Sequence, residues 1–394
     1  MTFARPEPYA WLTAGEAIRT RELRCQDPTV FAWRLERGQP LYDLPTLVDY
    51  VDNDVALLDT EQPDVVIGDF RLSLSVSARL RRIPYITICD AYWSPERALH
   101  APLPVLGVTR FTPIPLAALL FQCVAGIALR LHALPMERLR RRYGLASLGF
   151  DLRRCYTDAD LRLFANFPAL FPDVETGPHA DFIGPIAWSP SARPDLDFLD
   201  RDGAPLVYVT MGSSGDPAVL GTLLPILEAS DCRIAIATAG RPVPALRPSS
   251  RTSVFDYLPG DLVCRHASLV ICNGGSPTTN QALAHGVPVL GIARNMDQFL
   301  NMQAVADFGA GVVVRADRAQ RRQLQTAITE ILGNPRYRER ASSLARSTST
   351  NDLAGRLVRF IDEAASNAGR RSTIDERNGE NRHTGRTHSG AHSP

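Results

Sequence analysis

The chain has 394 residues, 45% hydrophobic and 22% charged, enough apolar content for two domains with cores of their own. Its net charge of +1 gives no electrostatic case for nucleic acid as a partner, or for an acidic membrane surface as the main one. Seven cysteines, at 25, 89, 123, 155, 232, 264 and 272, are odd in number and never spaced CxxC, so they indicate neither a zinc site nor a disulfide framework and suit a reducing cytoplasm.

Met1–Tyr9 reads as a strand ending at a turn, without a signal peptide and without the strand, Gly-rich loop and helix that usually open a Rossmann-like domain. Residues 21–50 mix aromatic and charged side chains with no clean period and are expected as loops and helical pieces leading into a helix over Leu44–Leu58. Pro63–Phe70 then gives a strand, Ser73–Leu80 a helix and Ile83–Asp90 a second strand. Asp69 and Asp90 each follow an apolar strand, a position that aims side chains at the cleft beyond the carboxyl ends of a parallel sheet. Each can equally cap the next helix. Leu103–Leu134 is the most apolar stretch; its centre, Leu116–Leu129, contains Gln122 and is closed by Arg130 and His132, so it reads as too short for the roughly 20 apolar residues a bilayer requires. A buried helix pair is expected there, with an apolar acceptor pocket or a peripheral membrane contact as functional alternatives. The run Arg138–Arg142 beside it is expected as a solvated helix face. Asp160–Ala165 and Phe182–Pro185 supply the last strands of the first domain, and Ser189–Pro194 reads as a linker, with the boundary near residues 186–204.

Pro205–Thr210 followed by Met211-Gly212-Ser213-Ser214-Gly215 starts a fresh strand, turn and helix, the opening of a second Rossmann-like domain. Ile234–Gly240 is its second strand, and His266 reads as a helix-end residue. The densest signal is Leu269–Asn301. Ser268–Cys272 suits a buried parallel strand and ends at Asn273-Gly274-Gly275-Ser276. A helix is expected there, with Ser276 as N-cap and Pro277 at its first position, stopped by Gly286. Val287–Ile292 is the next strand, and Asn295-Met296-Asp297-Gln298 opens the following helix. Two glycines at a helix N-terminus let an anion approach amides that the helix leaves unpaired, and phosphate is the natural guest. Thr278 and Thr279 add hydroxyls and Asn273 an amide, while Asp297 and Gln298, on the same carboxyl-end edge, can hold sugar hydroxyls. An ordinary tight turn explains a lone GGS as well. Beyond Asn301 the chain reads as a helix, a Gly-Ala-Gly turn at 309–311, a strand at 312–314, a helix over Leu324–Leu332 and another near Leu353–Ala364. From Ser366 onward it is polar and expected to be disordered, with His383, His388 and His392 too loosely spaced for a metal site.

These motifs resemble the nucleotide-sugar signature of family-one glycosyltransferases, the group that includes UDP-glycosyltransferases and macrolide glycosyltransferases. The family pattern of His-x-Gly-x-x-[Ser/Thr]-Thr, Glu-Ala-Leu, Gly-Val-Pro and Asp-Gln corresponds here to Asn273–Thr279, Gln281–Leu283, Gly286–Pro288 and Asp297-Gln298. The resemblance implies an α/β protein of GT-B architecture, two Rossmann-like domains with parallel sheets facing across a cleft. It implies a donor site of Gly212, Ser213, Ser214, Tyr257, Leu258, Asn273, Gly274, Gly275, Ser276, Thr278, Gln281, Asp297 and Gln298, in which Tyr257 stacks on the nucleoside base and Leu258 offers backbone hydrogen bonds. Asn273 replaces the family histidine that meets a donor phosphate, Gln281 the glutamate that grips the ribose, and Gly260 a glutamine. Asparagine cannot bring the positive charge of a protonated histidine to a diphosphate.

The family's catalytic histidine sits after the first strand, and here no histidine precedes His100: either the functional start lies upstream or that base is lost or replaced. Asp69 matches the aspartate that orients this histidine, which leaves Asp69 and Asp90 as catalytic candidates. The implied plan is an acceptor-side domain over 1–190, a linker at 191–204, a nucleotide-sugar domain over 205–348, a helix at 349–365 packing back on the first domain, and a tail at 366–394. The implied reaction moves a hexose from a UDP- or TDP-linked sugar to a hydroxyl of an apolar small molecule or lipid, with inversion and with no metal or other cofactor. Such an enzyme is expected in the cytoplasm, without nucleic acid as partner and without a transmembrane segment. A non-catalytic nucleotide-sugar-binding protein is the alternative, and an epimerase or hydrolase sharing the architecture is a third reading.

Overall fold

The computed structural model describes residues 1–6, 17–98, 100–186, 198–199, 203–212, 214–243, 249–348 and 352–366. Most of the expected linker, Ser213 and the tail from 367 therefore lie outside the described residues.

The N-terminal half places strands β3 (Val66–Asp69), β4 (Tyr85–Cys89), β5 (Leu161–Phe164) and β6 (Ala180–Phe182) side by side in that order, all parallel. Helices α2 (Leu44–Glu61), α3 (Leu74–Leu80), α4 (Ile114–Arg142) and α5 (Leu152–Thr157) accompany them. Asp43 starts α2 by accepting the Thr46 amide at 3.0 Å, and the apolar stripe Leu47, Val51 then packs on Val76 and on Ala133, Met136 and Leu139 of α4. Each buried valine, leucine or methionine among them contributes about 1.5–3 kcal/mol. A separate pair, β1 (Thr2–Arg5) with β2 (Arg19–Glu22), is also parallel. Strand β2 reads RTRE and carries no apolar alternation, so the sequence pattern gave no sign of it, nor of helix α1 (Pro28–Glu36) as a discrete element.

Helix α4 departs from the expected buried helix pair. It is one helix of 29 residues, and its described buried positions are Ala117, Ala125, Ala133, Met136, Glu137, Leu139 and Arg140, small residues early and larger ones late. By length and composition alone it is long and apolar enough to cross a membrane. Arg130 and His132 do not close the segment, because the helix runs on through both.

The C-terminal half holds a six-stranded parallel sheet in the order β12 (Gly311–Arg315), β11 (Val289–Ala293), β10 (Ala267–Cys272), β7 (Leu206–Thr210), β8 (Arg233–Ala237), β9 (Thr252–Phe255). The central strands are buried along almost their whole length, as the uninterrupted apolar runs of a sheet covered on both faces require. Helices α6 (Leu220–Glu228), α7 (Gly260–His266), α8 (Ser276–Ala284), α9 (Met296–Phe308), α10 (Arg321–Gly333) and α11 (Pro335–Thr348) follow; α11 had no place in the sequence reading. Strand order reverses between β7 and β10, so the turns leaving these two neighbours face each other at the carboxyl edge, where such sheets bind ligands.

Connections outside the cleft help bind the halves together. Residues 353–366 form a helix, α12, whose Leu357, Phe360 and Ile361 pack on Ile86, Leu163 and Ile183 of the first sheet. The segment before α4 leans on the second sheet, with Arg315 donating to the carbonyls of Leu103 at 2.6 Å and Pro104 at 3.2 Å.

Candidate active site

The facing turns after β7 and β10 form the first wall. Gly274 has φ +83, and a Cβ there would lie 2.6 Å from Met302 Cγ, so only glycine fits both the turn and the helix packed behind it. Gly275 has φ −69 and a looser surround. The Asn273 amide donates to the Ser214 hydroxyl at 2.9 Å while its carbonyl oxygen accepts the Gly275 amide at 3.1 Å, tying one turn to the other. Gln298 reaches Ser214 at 3.3 Å, and its carbonyl oxygen accepts the Arg294 amide at 2.8 Å within a capping box with Asn295. Gly212, at φ +55, faces the Asn273 side chain.

Helix α8 begins one residue earlier than expected. Gly275 is its N-cap, and Ser276 occupies the first helical position with Pro277 after it. Released from capping, the Ser276 hydroxyl donates to Asp90 Oδ2 at 3.0 Å, across the cleft between the halves. Thr279, expected as a ligand hydroxyl, is fully buried; it bonds back to the Gly275 and Ser276 carbonyls and accepts from Asn301. Thr278 remains partly exposed in the first turn, where helix amides lack acceptors.

Asp90 forms the opposite wall. Oδ1 accepts Asn166 Nδ2 at 2.9 Å and Oδ2 accepts the Tyr92 hydroxyl at 2.9 Å in addition to Ser276. Burial, and then the neighbouring Asp297 carboxylate, push the Asp90 carboxyl up to about 7, against the hydrogen bonds from Asn166, Tyr92 and Ser276 that favour its charge. Asp297 is raised by burial too, with Trp93 and Tyr92 holding it back, and it accepts Trp93 Nε1 at 2.9 Å. Neither Asp297 nor Gln298 points freely at a ligand: one meets Trp93, the other caps α9. Asn280 also crosses the cleft, donating to the Ala165 carbonyl at 2.8 Å.

Asp69 ends β3, paired in register with Ile88, two residues before Asp90. It is exposed, carries no hydrogen bond or ion pair among the described residues, and burial of its inner side raises its carboxyl. The next residue, Phe70, is held at φ 49 and its ring lies 5.0 Å from Tyr156, which in turn lies 5.0 Å from Trp93. An aromatic row therefore runs from Asp69 to the partner of Asp297.

Tyr257 is half exposed, its hydroxyl 3.3 Å from the Ala239 carbonyl, and Leu258 behind it is buried. Gln281 is largely buried, and a Cβ on Gly260 would come within 2.1 Å of its Oε1. The two departures from the family pattern therefore meet in space, with the Gln281 side chain filling the room that any larger residue at 260 would need. A cavity of about 190 Å³ lies farther along the same edge, lined by Met211, Asp216, Thr222 and Ile292 among others, and includes none of the expected donor contacts.

The sequence reading missed Asn166, Tyr92 and Trp93. Asn166 follows the apolar strand β5 as Asp90 follows β4, a placement that would have singled it out; the two aromatic residues carried no such mark.

Two parallel α/β sheets meeting edge to edge, with a glycine turn and helix N-terminus opposed to a buried carboxylate, define a group-transfer enzyme of the GT-B fold. Residues 224–359 match the family model "Erythromycin biosynthesis protein CIII-like, C-terminal domain". The chain is 41% identical over 324 residues to the PGL/p-HBAD biosynthesis glycosyltransferase of Mycobacterium tuberculosis (strain H37Ra), covering 82% of this chain and 75% of the relative. It is 41% identical over 317 residues to the PGL/p-HBAD biosynthesis rhamnosyltransferase of Mycobacterium bovis (strain BCG), covering 80% and 70%. Among solved structures, the spinosyn rhamnosyltransferase SpnG complexed with thymidine diphosphate superposes with a TM-score of 0.65 at 19% identity, over 92% of this chain and 91% of that one. The chain belongs to the family-one glycosyltransferases.

Proposed function

We propose that this chain transfers a hexose from a UDP- or TDP-linked sugar to the hydroxyl of an apolar small molecule or lipid, with inversion at the transferred carbon. The observation that carries this reading is the Ser276–Asp90 hydrogen bond, which sets an anion-ready helix start and a carboxylate of raised pKa within one side chain of each other. The first turn of α8 receives the diphosphate, its free amides and positive dipole end stabilising the charge that builds on the leaving group. Tyr257 stacks on the base and Leu258 meets it through backbone groups. Asp90, at about 7, is half ionised near neutral pH and takes the proton of the attacking hydroxyl; one lone pair of Oδ1 remains beside the Asn166 bond to receive it. Asp69, open to solvent, serves as the alternative base.

Relatives acting in PGL/p-HBAD biosynthesis and a neighbour holding thymidine diphosphate support this choice of donor and acceptor class. The seven cysteines, all unpaired, suit a cytoplasmic enzyme. The test is transfer from a panel of UDP- and TDP-hexoses to apolar alcohols and phenols, followed by mass, with donor affinity measured for Gly275→Asp and Asp297→Ala. Unchanged donor affinity in both variants would sink the site. Donor binding without turnover on any acceptor would favour a nucleotide-sugar-binding role.

A further inference from the structure

The apolar half of α4 is largely uncovered. Leu116, Leu119, Leu120, Val124, Ile127 and Leu131 are each at least half exposed, and at 3.6 residues per turn they fall within a sector of roughly 140° along about 22 Å of helix. Just before the helix, Phe111 is 90% exposed and Val108 59%. A patch of this extent on a globular surface marks an interaction site.

The charge on the same stripe tells what covers it. That sector also holds Arg130 and, continued past Pro135, Arg138, Arg141 and Arg142, all exposed. Glu137 is the sole acidic residue of α4 and is turned inward, accepting the Leu148 and Phe150 amides at 2.9 Å each. The overall charge of +1 concealed this local asymmetry. A second copy of the helix would offer cations and leucines to the same cations and leucines, with no carboxylate to pair. The opposite face of α4 is fixed in the domain core through Ala133, Met136 and Leu139, so the helix lies along the body of the protein instead of leaving it to span a bilayer.

We infer that the exposed stripe of α4, with Val108 and Phe111, docks on a membrane containing anionic phospholipid. The leucines enter the boundary between headgroups and acyl chains while Arg138, Arg141 and Arg142 sit on lipid phosphates. None of these residues is among the cleft contacts of Asp90, Ser276 and Asp297, and the inference does not rest on the proposed transfer reaction.

The test is flotation of the purified full chain with vesicles of phosphatidylcholine alone and of phosphatidylcholine with phosphatidylglycerol. Binding is expected to the mixed vesicles, to fall with added salt and to be reversed by alkaline carbonate. A combined Arg138→Ser, Arg141→Ser, Arg142→Ser variant should bind on the order of 100-fold more weakly, at about fivefold per charge. Leu119→Asp with Ile127→Asp should abolish flotation while leaving the thermal melt unchanged, since both side chains are exposed. Failure of the wild-type chain to float, or flotation indifferent to both variants, would overturn the inference. So would carbonate-resistant binding, which means a spanning helix, or a dimer in sedimentation that the two aspartates split.

Discussion

Replacing Asp90 by asparagine keeps the side chain's shape and removes its charge and its basicity. The carbonyl oxygen can still accept Asn166, and the new amide can donate to the Tyr92 and Ser276 hydroxyls, so the pocket retains its partners. Two effects of opposite sign follow. Because the folded carboxyl sits at about 7 against an ordinary 3.8, the native state holds a proton that the unfolded chain has released. Its contribution to stability is full below pH about 4 and is lost as pH rises through about 7, a swing of at most roughly 4 kcal/mol at 1.36 kcal/mol per pH unit. Asp90→Asn should therefore be more stable than the wild type at pH 8 and show a flatter profile of stability against pH. Activity moves the other way. A base must be ionised, so wild-type kcat should climb through pH about 7, and the variant should lose 10²- to 10⁴-fold of it together with that limb. Urea melts at a series of pH values and a pH-rate profile with saturating donor check both. A variant that keeps the wild-type rate and its rise through neutrality would refute the assignment of Asp90 as base.

Ser276→Ala removes a donor that favours ionised Asp90, so the alkaline-rising limb of the rate should move to higher pH, at a cost near 1 kcal/mol in stability by urea melt. Asp297→Asn removes the neighbouring carboxylate, and the same limb should move to lower pH. Gly274→Ala forces a side chain into positive φ and onto Met302 and should cost about 1–3 kcal/mol by thermal or urea melt, whereas Gly275→Ala should leave stability nearly unchanged. Tyr257→Ala should weaken nucleoside diphosphate binding about tenfold by calorimetry, with kcat at saturating donor little affected.

Much of this protein is written in local sequence. The apolar strand runs, Gly286 after a helix and the Asn295–Gln298 capping box are short-range patterns whose physics does not depend on the rest of the chain, and they were sufficient for the α/β class and for the Leu269–Asn301 unit. The rest depended on packing between distant segments. Ser276 looked like a cap, but the cap position fell to Gly275, and a carboxylate 186 residues away claimed the hydroxyl. Thr279 looked like a ligand hydroxyl, but its place on the inner face of α8 gave it to Asn301. Gly260 and Gln281 read as two separate departures from a pattern, and only their contact in space makes them one. For α4 the composition was plain, yet which face meets the core is set by Ala117, Ala125 and Ala133 fitting closely where the leucines do not. Sequence alone determines which segments can be strand, helix or turn, because those preferences arise within a few bonds. The pKa of Asp90, the partner of Asp297 and the exposed stripe of α4 were decided by the tertiary structure, since desolvation and charge proximity exist only once both halves have met.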